Sequence, residues 1–142
     1  MKGNFQSSKL PDLVFYTLKS VPVVIAKNGD NQYSIVERDI ATLPINGQKL
    51  GLSIGTTTIN GIKYRVGSTT VFFEKELSNI NGSMTWDIPS LLIDDQGRSI
   101  SDQRTVRSIN SGTGDFLGAE GYVVGEVYDL YIRNSVYFTN RP

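Results

Sequence analysis

The chain has 142 residues, with 14 lysines and arginines against 14 aspartates and glutamates, so its formal net charge is zero. This length is typical of one compact domain, and a balanced charge lacks the basic excess of a general nucleic-acid binder or a polybasic membrane anchor. The sequence has no Cys and no His, which excludes disulfides, thiol nucleophiles, histidine triads and thiolate or imidazole metal sites. We therefore expect a single domain over residues 1–142, with no nucleic-acid partner, no membrane partner and no metal.

Residues 1–11 form a polar N-terminal arm that ends at Pro11. Such a segment predicts either a disordered tail or a strap across a neighbouring molecule. Its first residues lack the apolar run of a secretory leader, and no later stretch reaches the ~18 apolar residues of a membrane-spanning helix. We expect a cytoplasmic protein, although a secreted protein whose leader has been removed, or a particle-associated one, would have the same pattern.

Four Asn-Gly pairs, at 28–29, 46–47, 60–61 and 81–82, separate runs that are rich in Val, Ile, Thr, Tyr and Phe. Asn-Gly tolerates positive φ at both central positions of a tight turn, so these pairs predict β-hairpins. Apolar residues do not recur at helical spacing, so we expect little helix and an all-β fold, either a closed barrel or a sandwich. Pro22 confines the first predicted strand to an edge, a bulge or a break. The eight predicted strands are Val14–Ala26, Tyr33–Leu43, Lys49–Ile59, Ile62–Leu77, Ser83–Leu92, Ile100–Ile109, Gly118–Tyr128 and Leu130–Phe138.

Two predicted strands are apolar on both faces, at Val71–Phe73 and at Val136–Phe138. A wall that is apolar inside and outside is expected to have something packed on its outer face. This pattern predicts a homo-oligomer, and the alternative cover is a long loop or the N-terminal arm.

The most distinctive segment runs from Ser111 to Tyr122, with glycines at positions 112, 114, 118 and 121. Glycines permit positive φ and close backbone approach, so the segment predicts a wide, structured turn in which Phe116 and Leu117 plug an apolar pocket. A phosphate-binding loop would need a helix and a Lys after the glycines, whereas a predicted strand follows here. The runs Gly-Thr-Gly-Asp-Phe and Ala-Glu-Gly-Tyr in this segment resemble the Gly-Thr-Gly-x-Phe and Ala-x-Gly-Tyr signature of dirigent proteins, which are related to allene oxide cyclases.

The resemblance covers roughly Tyr33 to Phe138 and includes Lys49–Gly55 and the hairpin at Val71–Thr85. It implies a single eight-stranded antiparallel β-barrel of the calycin type with an apolar central cavity, commonly a trimer in the plant members. Bacterial spirotetronate cyclases are similar to the same superfamily. Such barrels steer how a reactive intermediate closes, without a cofactor. Asp115 matches an Asp suggested to act on a quinone methide, and Glu120 stands where dirigent proteins usually have an Arg, so both are catalytic candidates.

A further catalytic candidate, Glu37, is independent of the resemblance. Glu37 and Asp39 share one face of a predicted strand with Tyr33 and Ile35. Two carboxylates about 7 Å apart either raise each other's pKa for acid–base work inside the barrel, or lie solvated at its rim beside Arg38.

Arginines and aromatic residues supply candidates for ligand binding. Arg104 and Arg107 precede the glycine-rich segment and either bind a carboxylate or phosphate or pair with nearby aspartates. Amphipathic aromatic side chains either line a cavity and orient a ligand or form plain barrel wall. The aromatic candidates are Tyr64, Trp86, Tyr122 and Tyr128.

These features support two functions of different classes. The first is a cofactor-independent barrel that binds a small apolar intermediate and steers its cyclisation or isomerisation through confinement and orientation. The second is a non-catalytic structural or interaction barrel that assembles through its outer walls as a trimer or dimer. We favour the first because the glycine-rich segment is intact. An open cavity of roughly a few hundred Å³ that contains a carboxylate or Tyr would support the first function, and a lumen filled by side chains would support the second.

Overall fold

A computed structural model describes residues 9–29, 31–60, 64–92, 94–95 and 99–140. These ranges contain nine β-strands, and their one helix, α1 at Lys75–Ser78, lies between β5 and β6. No helix in the described ranges has the length and hydropathy that crossing a membrane requires. The strands are β1 Leu13–Leu18, β2 Val23–Asn28, β3 Asn31–Ala41, β4 Lys49–Asn60, β5 Tyr64–Phe73, β6 Gly82–Leu92, β7 Arg104–Gly114, β8 Gly121–Val127 and β9 Tyr131–Phe138.

The strands form an antiparallel meander that closes on itself. From β2 to β9, each strand pairs with the next one along the chain. β1 closes the barrel because it pairs with β9 along its length and with β3 at Tyr16↔Ala41 and Thr17↔Ile40. β1 and β3 to β9 therefore make an eight-stranded barrel, and β2 is one extra strand on β3. The predicted all-β antiparallel barrel with little helix is confirmed.

The first predicted strand, Val14–Ala26, is two strands in the structure. β1 ends at Leu18, and β2 begins at Val23 and continues along β3, from the pair Val23↔Ile35 to Asn28↔Asn31. Pro22 lies in the break, where a residue without an N–H group cannot extend the ladder. Of the three alternatives that Pro22 left open, the structure has the break.

From β2 onward, consecutive strands pair as hairpins, as predicted, but most of the connections in the described ranges are longer than the tight two-residue form. Gly29, with φ of 60°, follows β2 and turns the chain into β3. Asn46 lies in the longer loop 42–48, and the pair at 81–82 follows α1, which takes up the end of the predicted strand Ile62–Leu77. Asn79 in the left-handed conformation, with φ of 60°, ends α1. The turn predicted at 60–61 includes residue 61, which lies outside the described residues.

An aromatic cluster fills one end of the barrel. Phe116, from the turn after β7, is buried and packs against Phe73 and Phe138, with ring centroids 5.4 Å and 6.1 Å apart. Phe15 meets Phe73 edge to face at 5.5 Å. Leu117, which was expected to join Phe116 in an apolar pocket, is instead exposed. The turn therefore plugs this end with one side chain.

Of the two walls predicted to be apolar on both faces, one leaves a large side chain exposed. Val71, Phe73 and Val136 are buried, whereas Phe72 is 43% exposed. Self-association stays a prediction.

The chain segment before β1 is tied to the last strand. The Lys9 ammonium donates to the carbonyl oxygen of Phe138 at 2.8 Å and to Oδ2 of Asp12 at 3.0 Å. The N–H of Phe138 donates to the same Oδ2 at 2.7 Å, and this hydrogen bond, together with Lys9, holds the pKa of Asp12 below its usual 3.8. Residues 1–8 of the predicted arm lie outside the described part of the chain.

Candidate functional site

A small cavity lies in the lumen of the barrel, next to the aromatic cluster. Its volume is about 30 Å³, enough for one or two water molecules, so side chains fill most of the lumen. Within the described part of the chain, no carboxylate and no Tyr line it. The lining residues are Thr17, Arg38, Ser53, Thr69, Trp86, Ile88, Arg107, Ile132 and Asn134.

Strand β7 brings Arg107 into the lumen. Successive side chains of a strand point to opposite faces, and in β7 Arg104 and Val106 are exposed whereas Thr105 and Arg107 are half-buried. The Cζ atom of Arg107 lies 5.6 Å from the ring centroid of Trp86, which is a cation–π contact. Gly125 leaves the space for this guanidinium, since a Cβ at position 125 would overlap its Nη2 atom.

The lumen is rich in buried hydrogen-bond donors. Nε and Nη2 of Arg107 and Nε1 of Trp86 are inaccessible to solvent, and no residue in the described ranges accepts a hydrogen bond from them. Burial lowers the pKa of Arg107 to about 10, so the guanidinium still carries its charge at pH 7. Arg38, only 7% exposed, lines the same cavity. The cavity therefore has two cationic side chains in its wall.

Of the predicted ligand-binding residues, Trp86 and Arg107 line the cavity. Arg104 is exposed on the outer face of β7. Tyr122 stacks on Tyr137 with ring centroids 5.0 Å apart, and Tyr128, 38% exposed, stacks on Tyr131 at 5.0 Å. Tyr64 begins β5, and its side chain lies outside the described residues. Ligand roles at Arg104, Tyr122 and Tyr128 stay predictions, and they would concern surfaces other than the lumen cavity.

The three predicted catalytic carboxylates are exposed and lie apart from the cavity. The N–H of Asn81 donates to Oδ2 of Asp115 at 2.9 Å, and the N–H of Asp115 donates to the carbonyl oxygen of Asn81 at 2.7 Å. Glu120 precedes β8, and its N–H donates to Oδ1 of Asn140 at 2.9 Å. Glu37 lies on β3 and lines a surface groove. Catalytic roles for these carboxylates stay predictions.

The contacts of Asp115 give a direct test of its role. We expect Asp115→Asn to lower the free energy of unfolding by about 0.5–1 kcal/mol, because a charged acceptor of a backbone hydrogen bond is lost. Binding of a small molecule in the lumen should not change, because Asp115 does not line the cavity. Urea unfolding and ligand titration of the same variant provide both measurements. A variant that keeps its stability but loses ligand turnover would instead support a catalytic Asp115.

Arg38 lines the lumen although it was not among the predicted site residues, whereas Arg107 was predicted, together with Arg104, as a candidate for binding a carboxylate or phosphate. Alternation in the sequence contains a signal for both. Arg38 lies between Val36 and Ile40 at spacing two, which places it on the apolar face of β3. The sequence interpretation instead used the opposite face of this strand, which carries Glu37 and Asp39. The two-residue spacing of Arg107 from Ile109 places it on the opposite face of β7 from Arg104.

The closed eight-stranded barrel, with a plugged end and a small polar lumen, has the fold of solved dirigent proteins. No family profile and no curated protein matches the sequence. Among solved structures, the chain is similar to the pterocarpan synthase dirigent protein GePTS1, with a TM-score of 0.65 and 15% identity over 97% of this chain and 96% of that one. The dirigent protein PsPTS1 gives a TM-score of 0.64 and 19% identity over 94% and 97% of the two chains.

A pyocyanin demethylase has the same barrel, with a TM-score of 0.61 and 10% identity over 89% of this chain and 98% of that one. At these identities the likeness shows the fold. The predicted resemblance to the dirigent barrel is therefore confirmed as a fold.

Proposed function

We propose that this protein is a cofactor-independent barrel that binds a small organic anion in its lumen and steers the cyclisation or isomerisation of the bound compound. The observation that carries the proposal is Arg107, whose buried Nε and Nη2 atoms have no acceptor in the described ranges while its guanidinium faces the cavity that Arg38 also lines. The proposed ligand therefore differs from the apolar intermediate predicted from the sequence, because it carries a negatively charged group.

A lumen with a purely structural role would not require a buried guanidinium that lacks a hydrogen-bond acceptor. Burying a cation without a counter-charge costs several kcal/mol, and apolar side chains of the same volume would fill the space at lower cost. A carboxylate or another oxyanion would accept hydrogen bonds from the Arg107 guanidinium and from Nε1 of Trp86. Arg is suited to this task because its planar fork matches the two oxygens of a carboxylate.

The cavity residues determine what kind of chemistry the barrel would support. No carboxylate lines the cavity in the described part of the chain. We therefore assign no proton-transfer role to an acidic residue in the lumen. The arginines would stabilise negative charge on an enolate-like or phenolate-like oxygen, and the walls would fix the conformation of the rest of the compound. The similar structures named pterocarpan synthase and pyocyanin demethylase support a small-molecule role for this type of barrel.

The size of the cavity favours a second candidate function. With about 30 Å³ of free volume, the lumen is close to the filled state expected of a non-catalytic barrel that assembles with copies of itself, as a trimer or dimer, through exposed apolar residues such as Phe72. Under this alternative, Arg107 would be a structural side chain that packs on Trp86.

Benzoate and its uncharged amide, benzamide, separate the two functions. The cavity of about 30 Å³ is smaller than either compound, so binding in the lumen requires its side chains to move apart. We expect benzoate, titrated at constant ionic strength, to raise the thermal unfolding temperature in a saturable way, and benzamide to bind at least about tenfold more weakly, because it lacks the charge. Gly125→Ala should weaken benzoate binding about tenfold, because the added methyl group displaces the Arg107 guanidinium.

Gly55→Ala is the matched control for that variant. It adds the same methyl group to the lumen wall, where the nearest atom would be Oγ1 of Thr69 at 3.5 Å, an ordinary contact. We expect its benzoate affinity to stay within about threefold of the parent. Equal binding of benzoate and benzamide, or no binding of either, would favour the non-catalytic barrel.

A further inference from the structure

A second, larger pocket lies on the surface of the barrel and shares no described lining residue with the lumen cavity. We call it the rim pocket. Its volume is about 380 Å³, which is the size range of small-molecule sites. It is lined by Ile45, Ser101, Asp102, Tyr128, Asp129, Leu130 and Tyr131.

One wall of the rim pocket is aromatic and apolar. The rings of Tyr128 and Tyr131 stack with centroids 5.0 Å apart, and Tyr16 supports Tyr131 edge to face at 5.5 Å. The N–H of Tyr128 donates to the carbonyl oxygen of Tyr131 at 2.9 Å, which fixes the turn that carries both rings. Leu130 and Ile45 add apolar surface, each 69% exposed. Exposed apolar surface around a concave site is typical of ligand binding.

Among the described residues, the charged groups that line the rim pocket are both acidic. Asp102 and Asp129 contribute carboxylates, and neither forms an ion pair with any residue in the described ranges. The backbone places Asp102 at the pocket, since its N–H donates to the carbonyl oxygen of Val127 at 2.8 Å. Arg104 lines an adjoining groove, where its partner in the β7–β8 ladder is Glu126. The rim pocket is therefore negative, in contrast to the lumen.

We propose that the rim pocket binds a small organic ammonium ion with an aromatic or alkyl body. The carboxylates would pair with the ammonium group, and the tyrosine stack would contact the cation and the apolar body. The described residues contain no group of three or more possible metal ligands, and an aromatic wall offers nothing to a metal ion, so an organic cation fits the pocket better. The ligand is thus opposite in charge to the one proposed for the lumen.

Phenethylamine, protonated at neutral pH, tests this proposal against its uncharged analogue 2-phenylethanol. We expect the amine to bind in a calorimetric or NMR titration about tenfold more tightly than the alcohol at low salt, with the difference shrinking at high salt because exposed charges are screened. The double variant Asp102→Asn and Asp129→Asn should weaken amine binding about tenfold and leave alcohol binding unchanged. Asn tolerates the left-handed conformation of Asp102, with φ of 67°, so the fold should persist.

Two control variants locate the site. Glu76→Gln removes a surface charge from α1, which contributes no described residue to the lining of the rim pocket, and should leave amine binding unchanged. Arg107→Met alters a residue of the lumen cavity. Amine binding that persists in this variant is therefore independent of the proposed lumen function. Tyr128→Leu should weaken amine binding about fivefold through loss of the cation–π contact. Equal affinity for amine and alcohol, an unchanged double variant, or no saturable binding below ~10 mM would overturn the proposal.

Discussion

Arg107→Met should make the ligand-free protein more stable, by about 1–3 kcal/mol, while it abolishes benzoate binding. The variant removes a cation that burial makes costly, as the lowered pKa of Arg107 indicates, and an unbranched Met can occupy the space of the Arg stem beside Trp86. Differential scanning calorimetry should record an increase of about 3–10 °C in the unfolding temperature. A gain in stability together with a loss of binding is the result expected when a buried charge is kept for a ligand.

Arg104→Met provides the matched control for this prediction. Arg104 lies three residues earlier on the same strand, but its side chain is exposed on the outer face, and we expect its replacement to change stability by less than about 0.5 kcal/mol. A clear loss of stability in Arg107→Met would mean that the guanidinium supports the packing around Trp86. That result would favour the non-catalytic barrel.

Gly114→Val is expected to destabilise the barrel by about 3 kcal/mol or more, or to prevent folding. Gly114 has φ of 58°, a left-handed conformation that β-branched residues rarely adopt, and a Cβ at this position would overlap the carbonyl oxygen of Asn81. The position ends β7 and precedes the turn that places Phe116 in the aromatic cluster. Urea unfolding measures the loss in the free energy of unfolding. A variant that does not fold at all would be the strongest form of this result.

Gly118→Val separates backbone strain from steric overlap. Gly118 also has a left-handed conformation, with φ of 74°, but a Cβ there would meet nothing within 4 Å. We expect this variant to lose only about 1–2 kcal/mol. Equal losses at the two positions would show that strain alone limits the turn, and an unchanged Gly114→Val would contradict the constrained turn itself.

The glycine-rich segment also shows what local sequence could and could not predict about the site. Four glycines close in sequence indicated a constrained turn, and the structure has one, with Phe116 buried at its tip. Asp115, in the same segment, was predicted to be catalytic because it matches a position in the dirigent signature. Its side chain binds the backbone of Asn81, a partner 34 residues away that the turn sequence does not identify.

The sequence by itself determined the class of fold. Alternating apolar residues, Asn-Gly turns and the lack of helical spacing are local properties, and they were sufficient to predict an all-β fold, either a barrel or a sandwich, and most of its strands. The resemblance to dirigent proteins favoured the antiparallel barrel. The sequence also excluded histidine and cysteine chemistry, since a residue that is absent cannot act.

Only the tertiary structure decided which face of each strand lies inside the barrel. In β3, one face carries Tyr33, Ile35 and Glu37, and the other carries Val36 and Arg38. Both faces combine apolar and charged residues, so a period of two allows either one to point inward, and a shift by one residue exchanges them. Closure of β1 against β3 and β9 fixed the choice. It thereby brought Arg38 and Arg107, which are far apart in the chain, to one cavity, because the lumen forms only when all eight strands have paired.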